Sequence, residues 1–386
     1  MPSVRKRIRS DGPKYTALYR DASGRQRAAG TFTSRREAEK AGRQAENRLE
    51  AGTWVDPVSG RTVFKDYVEK VWWPSRHLEV STKAGYRSYL DKHFLPYFGE
   101  LPMAEILPST VQGWVTKAAA GGLSARSVVK YHVMLHGVFK RAVRDRVIAY
   151  NPCADTELPK VITKKPRILS PAEFWRLLAC IPDRYRLLVL TEIETGLRWG
   201  ELIALRPRHI DFLRRIITVE ETIVEVSRKV SPTGERMIVK PYPKDDESRA
   251  LEVGQDLLDL LAARIQALGL TRDDLIFPST ETSGGNPLSR NTFRTRVWLP
   301  ALEKAELGFH VRVHDLRHAN ASWLLAGGAD LKAVMERLGH SQIQTTQRYL
   351  HALPGGDKKA LAAFQRIIHE STDDIRGSLE GESGGS

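Results

Sequence analysis

The sequence has little cysteine and no long apolar run. Cys153 and Cys180 are the two cysteines among 386 residues, too few and too differently placed for a disulfide framework or a metal cluster. No apolar stretch approaches the ~18 residues that a membrane-spanning helix needs. The N-terminal MPSVRKRIRSDG has basic residues with no apolar segment behind them, unlike a secretion signal. These absences predict a cytoplasmic protein with two reduced thiols and no membrane partner.

Acidic residues are outnumbered, with 46 Asp and Glu against 60 Lys and Arg, and the isoelectric point is near 9.7. Residues 1–50 hold 13 basic and 6 acidic residues, so an eighth of the chain carries half of the net charge of +14. A concentrated basic excess is typical of proteins that bind a polyanion. Because no strongly apolar helix face accompanies it, nucleic acid is favoured over a membrane surface, and we expect a nucleoid-associated protein.

The first fifty residues predict a small basic module of three short strands and a helix. The stretch KYTALYR alternates like a strand. SRRE, from Ser34 to Glu37, predicts a capping box that opens the helix. Residues 62 to about 150 instead have helical periodicity, with helices expected to begin near four positions. These are Val63, Ser81, Ser109 and Ser124.

Residues 151–167, rich in proline and charge, predict a linker. After it, LSPAEF predicts a firm helix start at Ser170, with Glu173 closing the cap. The strand-like stretches RIITVEETIV, RMIVKPY and RALEV follow, and helical patterns return at 255–268, 290–305, 315–326 and 330–338. The third domain is therefore expected to be mainly α-helical with one small sheet inserted early. The last stretch, GSLEGESGGS, is low in complexity and predicts a disordered tail.

Four stretches of this third domain contain residues suited to catalysis. They are ETGLRWGEL with Arg198, YPKDDESRALEV with Lys244, HDLRH with His314 and Arg317, and LGHSQIQTTQRYLH with His340 and Tyr349. Each is ambiguous alone, since Arg198 could be a surface guanidinium and Tyr349 a packed aromatic. Together they resemble the tyrosine recombinase, or phage integrase, family, whose catalytic set is Arg, Lys, His-x-x-Arg, His and Tyr in this chain order.

The resemblance implies the tyrosine recombinase fold in a multidomain chain. That fold comprises a small α+β arm-type DNA-binding domain at 1–55, an all-α core-site-binding domain at 62–150, a mainly-α catalytic domain with a small antiparallel sheet at 166–370, and a tail at 371–386. It implies a site-specific integrase that cuts and rejoins double-stranded DNA through a 3′-phosphotyrosyl intermediate, without cofactor or metal. The two larger domains would clamp a core site.

The resemblance also assigns roles. Tyr349 would be the nucleophile, Arg198, Arg317 and His340 would stabilise the phosphate, and His314 would act as general base. Lys244 would be the general acid, with Lys240 as the open alternative. Glu201, three residues after Arg198, would orient a catalytic group or else form a structural ion pair.

Partners follow from the same resemblance: core and arm DNA sites, a homotetramer that exchanges strands through a Holliday junction, and room for a host DNA-bending protein and a directionality factor. Charge favours phosphate contacts by seven basic residues, three near the N-terminus and four on the helix expected to begin near Ser124. They are Arg5, Lys6, Arg7, Arg126, Lys130, Arg141 and Arg144.

Three alternatives remain open at this stage. His310, His314 and His318 stand four residues apart like helical metal ligands, but Asp replaces the Glu of a zinc protease and the helix is expected to begin only near Asp315. A type IB topoisomerase shares the chemistry, although the basic N-terminal module favours recombination. A DNA-binding regulator that has lost catalysis would be expected to lack one of the catalytic set.

Overall fold

The computed structural model describes residues 2–10, 12–21, 24–51, 59–162, 167–241, 248–280 and 285–339. The chain divides into two compact units, Met1–Thr163 and Lys164–Ser386. The architecture is helix-rich with small antiparallel sheets, which confirms the predicted fold class. No helix in the described ranges combines the length and apolar character needed to cross a bilayer. The exact domain boundaries stay predictions.

The first unit begins with the predicted three-stranded module. Its strands β1 (Ser3–Arg9), β2 (Gly12–Arg20) and β3 (Gln26–Phe32) form an antiparallel sheet in that order, and α1 (Arg35–Glu50) packs on it. Ala17, Tyr19 and Ala38 are buried between sheet and helix. Ser34 is the N-cap as expected, but the predicted capping box is wrong because its side chain makes no capping hydrogen bond. Glu37 is exposed there, where water can satisfy the free amides.

Residues 59–162 are mainly helical, and all four predicted helix starts are confirmed to within one residue. The helices are α2 (Phe64–Tyr67), α3 (Val80–Tyr89), α4 (Leu95–Phe98), α5 (Pro108–Ala120) and α6 (Ala125–Arg144), with π-helical turns at Val68–Trp72 and Leu90–Phe94. Ser124 caps α6 by accepting from the Ser127 amide. Trp72 is 1% exposed in this core, as expected for a structural aromatic.

The second unit opens with α7 (Pro171–Cys180), where the capping box of Ser170 and Glu173 is confirmed. Helices α8 (Asp183–Thr195) and α9 (Trp199–Leu202) follow. The strands are β4 (Ile210–Asp211), β5 (Ile216–Val219), β6 (Glu221–Glu225), β7 (Met237–Pro241) and β8 (Arg249–Glu252). They form two sheets rather than the single sheet expected, β4-β5-β8 and the hairpin β6-β7.

The described part of the unit ends with a run of helices at the predicted places. They are α10 (Gln255–Ala267), α11 (Arg290–Phe293), a π-helical turn at Arg294–Trp298, α12 (Leu299–Ala305), α13 (Asp315–Ala326) and α14 (Leu331–Leu338). One large apolar core joins α7–α13 to both sheets. Helix α14 packs against α13 through a smaller apolar cluster of Ala321, Leu325, Val334 and Leu338. This cluster fixes the end of α14, which leads directly toward His340.

Candidate active site

Arg198 lies where α8 turns sharply into α9. Gly196 ends α8 with φ +65°, a left-handed conformation that favours glycine. A Cβ there would also lie 2.5 Å from the Leu338 side chain and 2.7 Å from Asn320 Oδ1, so glycine permits the close approach of three helices. The chain then reverses, and Arg198 becomes the N-cap of α9 with its side chain 37% exposed.

Glu201 joins two arginines from distant parts of the chain. Its carboxylate, fully buried, accepts from Arg198 Nη1 at 2.9 Å and from Arg249 Nη1 at 3.2 Å, with a second bond from Arg249 Nη2. Burial by itself raises the pKa of Glu201, but the hydrogen bonds and charges of Arg249 and Arg198 outweigh it and lower the pKa below the usual value. Glu201 is therefore an ionised bridge that holds Arg198 in place.

The end of α14 receives three arginines on three successive carbonyl groups. Arg249 Nε donates to the Arg337 oxygen at 3.1 Å, Arg317 Nη2 to the Leu338 oxygen, and Arg198 Nη2 to the Gly339 oxygen at 2.7 Å. The last carbonyls of a helix lack partners within it and carry partial negative charge. Guanidinium groups suit this position, and they fix the backbone immediately before His340.

Arg317 is buried to 1% exposure, the most enclosed cation of the site. Besides the α14 carbonyl, its Nη1 donates to the Gly196 oxygen at the end of α8 at 2.5 Å. Two helix C-termini thus stabilise one buried positive charge. On the next turn of α13, Asn320 Nδ2 donates to the Ile193 oxygen at 2.8 Å, so α13 is tied to α8 on both sides of Gly196.

His314 precedes the first turn of α13 and is its N-cap residue. Asp315 accepts from the Arg312 amide at 2.7 Å and pairs with the Arg312 guanidinium, while Trp298 Nε1 donates to the Val311 oxygen at 2.8 Å. These bonds fix the loop before the helix. Burial, together with the positive charges of His318, Arg317 and Arg290, lowers the pKa of His314 to about 4. The imidazole is consequently neutral at pH 7.

A cleft of about 710 Å³ opens beside these residues. Arg198 and His314 line it together with Arg290, Arg294 and Arg312, so four arginines place permanent positive charge in a wall that is otherwise largely apolar. Thr222 on β6 also lines it, and Gly200 permits that contact because a Cβ there would come within 2.5 Å of Thr222 Oγ1. A cleft with this lining suits an anion with several oxygens, such as a phosphodiester.

The structure brings four of the predicted site residues together, namely Arg198, Glu201, His314 and Arg317. Lys244, His340 and Tyr349 lie outside the described residues. Lys240 is described: it is the register partner of Thr222 in the β6-β7 hairpin, and directly paired residues project from the same face of a sheet. Lys240 therefore shares a face with a residue that lines the cleft.

The histidine alternative finds no geometric support. His318 packs its ring edge-on against His314 at 4.8 Å between centroids, and His310 precedes the helix. Within the described ranges, no three His, Cys, Asp or Glu side chains are placed to hold a metal ion.

The predicted DNA-contacting residues occupy exposed positions in the first unit. Arg5, Lys6 and Arg7 are exposed on β1, which pairs on one side with β2 and so forms a sheet edge. Arg126, Lys130, Arg141 and Arg144 are exposed along α6. Arg141 bonds Asp145 at 2.8 Å, and Lys130 Nζ lies 5.3 Å from the Tyr89 ring centre.

Sequence reasoning missed the role of Arg249 and overlooked Glu192. Arg249 stood in the sequence beside Ser248, but its pairing with Glu201 spans 48 residues and no local spacing indicates it. Glu192 lies one helical turn before Gly196 among the buried residues of α8. An acidic residue inside the otherwise apolar pattern of a buried helix was the available signal.

Comparisons with known proteins agree with this geometry. The model of the phage integrase family matches residues 167–355, and the model of the phage integrase N-terminal SAM-like domain matches residues 63–118, which together span well over half of the chain. The chain is 28% identical over 368 residues to a putative prophage phiRv2 integrase of Mycobacterium tuberculosis, covering 92% of this chain and 93% of that protein. It is 27% identical to the integrase of Mycobacterium phage L5, covering 94% and 93%.

Solved structures share the fold. The Tn1549 transposon integrase in complex with transposon right end DNA aligns with a TM-score of 0.66 at 19% identity, over 80% of this chain and all of that one. A lambda integrase tetramer bound to a Holliday junction aligns with a TM-score of 0.55 at 22% identity, over 87% and 95%. From the family matches, the relatives and the fold, the chain belongs to the phage integrase family and is a site-specific tyrosine recombinase.

Proposed function

We propose that this chain cuts and rejoins double-stranded DNA at attachment sites through a 3′-phosphotyrosyl intermediate on Tyr349, and thereby integrates and excises a mobile element. One observation carries the proposal: Arg198 and Arg317 converge, with Arg249, on the three carbonyls that immediately precede His340. The same segment continues to Tyr349. Two arginines that suit a phosphate are thus fixed at the start of the stretch that holds the candidate nucleophile.

Charge stabilisation is the first task of such a site. The transition state of phosphoryl transfer places negative charge on the non-bridging oxygens. Arg198 and Arg317 offer planar, permanently charged donors to those oxygens, and each guanidinium has five N–H groups, so it can keep a carbonyl bond and still bind phosphate. We assign His340 as a third donor.

Proton transfer is the second task. An ordinary tyrosine has a pKa near ~10 and must lose its proton to attack. We assign that proton to His314, whose imidazole is neutral at pH 7 and can accept it. The leaving 5′ oxygen takes a proton from Lys244, or from Lys240, which shares a face with the cleft-lining Thr222. The phosphotyrosyl ester conserves the energy of the broken bond, so rejoining needs no ATP.

The domains divide the DNA between them in this proposal. Residues 1–55 bind arm sites and residues 62–150 bind the core site, while residues 166–370 carry out the reaction. Four copies act together, supported by the likeness to the lambda integrase tetramer bound to a Holliday junction. We include a host DNA-bending protein and a directionality factor as accessory partners.

A supercoiled plasmid with two attachment sites tests the proposal. In EDTA and without ATP, the wild-type protein is expected to convert it into two smaller circles, while Tyr349→Phe binds it without product. Relaxation of a plasmid that has no site, without recombination, would indicate a topoisomerase. Binding to the verified site with no product from the wild type would indicate a regulator.

A further inference from the structure

Glu192 is a buried acid at the wall of the cleft. It lies on α8, is 1% exposed, and is one of the residues that line the cleft beside Arg198. Its Oε2 atom has no hydrogen-bond partner among the described residues. A buried polar atom without a partner destabilises the fold, so its position at the wall of the cleft calls for a functional explanation.

The other carboxylates near the cleft are paired. Glu201 bonds Arg198 and Arg249, as described above. Glu225, which also lines the cleft, pairs with Arg236 at 2.9 Å and accepts from Ser289 Oγ at 3.1 Å. Glu192 differs from both because its Oε2 atom is buried without a hydrogen-bond partner among the described residues.

Burial raises the pKa of Glu192 well above that of an ordinary glutamate, although the positive charges of Arg290 and Arg317 oppose the shift. The carboxyl group is therefore kept uncharged in a pH range where exposed glutamates are ionised.

The charged groups around Glu192 and along the cleft are mostly arginines. Arg317 comes from α13 and Arg290 from α11. The cleft lining also includes Arg198 at the start of α9, Arg294 in the π-helical turn, and His310, Arg312 and the neutral His314 before α13, with the paired Glu225 on β6. An ionised Glu192 would neutralise part of the charge that this wall offers to a phosphate.

We propose that Glu192 is a positioning residue of the recombination reaction, which must be protonated for the cleft to accept the DNA phosphate and which stops cleavage when it releases its proton to solvent. As the carboxylate forms, it competes with the phosphate for Arg290 and Arg317. The proposal rests on the proposed function, since it takes Arg317 as a phosphate ligand.

The test measures the cleavage rate on a nicked core-site substrate between about pH 6 and pH 10, for wild type, Glu192→Gln and Glu192→Met. Both substitutions keep the side chain near its size and remove its charge. We expect the ratio of variant to wild-type rate to be constant at low pH. Above the pH at which Glu192 ionises, the ratio should rise by about tenfold per pH unit, because the protonated fraction falls by that factor.

Glu194→Gln is the matched control. Glu194 lies on the same helix, and burial raises the pKa of its carboxyl too, but it lines a different groove beside Trp323 and Leu324. The ratio for Glu194→Gln should stay constant over the whole range. A rising ratio for this control as well would overturn the proposal, because any buried acid of α8 would then act alike.

A flat ratio for both Glu192 variants, in a wild type that forms covalent adduct, would overturn the inference and leave the proposed function intact. Absence of adduct from the wild type at every pH would overturn both. Circular dichroism at the assay temperature measures the folded fraction of each protein at each pH. If the cleavage rate falls at high pH only as far as the folded fraction falls, Glu192 has a structural role and the proposal is contradicted.

Discussion

Arg198 Nη2 lies 2.7 Å from the main-chain oxygen of Gly339, a residue 141 positions further along the chain. Gly339 ends α14 with φ +63° and directly precedes His340. The bond couples the arginine after α8 to the backbone that leads toward Tyr349. Because Glu201, which also pairs with Arg249, accepts a second bond from the same arginine, the position of Arg198 and the end of α14 depend on each other.

Gly339→Ala should lower cleavage strongly. A Cβ at this left-handed position costs about 1 to 2 kcal/mol, and it would lie 3.1 Å from Arg249 Nη1, so the guanidinium that pairs with Glu201 must shift to admit it. We expect at least about a tenfold slower rate of covalent adduct formation. Gly269→Ala is the control, since its φ is +57° and a Cβ there meets nothing within 4 Å. It should cost similar stability and retain cleavage; equal rates for the two variants would contradict the coupling.

Glu201→Gln removes a buried anion between two guanidinium groups. Breaking a buried pair in this way costs about 3 to 5 kcal/mol, measured as the free energy of unfolding in urea. At a temperature where the variant is still folded, we expect at least about a hundredfold slower cleavage, because Arg198 loses its anchor. The control is Glu173→Gln, which also removes a capping glutamate paired with an arginine, Arg167 at 2.5 Å. Slow cleavage in both variants would point to general destabilisation.

His314 should titrate at an unusually low pH. Its pKa of about 4 in the free protein lies below the ordinary value of ~6.5, so it contributes stability above about pH 6.5 that is lost as the pH falls toward 4. Bound DNA phosphate should raise this pKa because an anion favours the imidazolium form. NMR titration of Tyr349→Phe, with and without core-site DNA, measures the shift.

His209 provides an internal reference in that titration. Burial lowers its pKa as well, but it does not line the cleft, so DNA should leave it unchanged. A titration midpoint of His314 that stays the same when DNA is added would contradict the placement of His314 beside the phosphate.

Replacing Arg5, Lys6 and Arg7 by alanine should weaken binding to arm-site DNA. All three are exposed on the edge strand β1, and each phosphate contact adds about 0.9 to the slope of log affinity against log salt. The slope should therefore fall by up to about 2.7, while adduct formation on a core-only substrate is retained. Arg5→Lys with Arg7→Lys preserves the charge and should preserve the slope. Unchanged arm affinity in the alanine variant would place arm binding elsewhere.

Local patterns in the sequence predicted where several helices of this protein begin. Ser124 and Ser170 each cap a helix at the predicted residue, because capping depends on neighbours within one turn. The capping box predicted at Ser34 does not form. Its partner Glu37 is exposed, and nothing in the fold holds the two side chains together.

Long-range pairing was beyond such patterns. The sequence motifs predicted Arg198, His314 and Arg317 as site residues. They did not predict the bond from Arg249 to Glu201 or the bonds of Arg317 to the ends of α8 and α14, because these form only when distant helices pack together. Splitting of the expected sheet into two has the same origin, since strand pairing between β5 and β8 spans the hairpin that lies between them.

The central claim is that Tyr349 becomes covalently joined to DNA at a site built around Arg198 and Arg317. The most direct measurement incubates wild type and Tyr349→Phe with a nicked core-site substrate in EDTA, then separates protein–DNA adducts under denaturing conditions. We predict adduct from the wild type alone, with equal DNA binding by both proteins. Adduct formed by Tyr349→Phe would show that another residue is the nucleophile and would contradict the account.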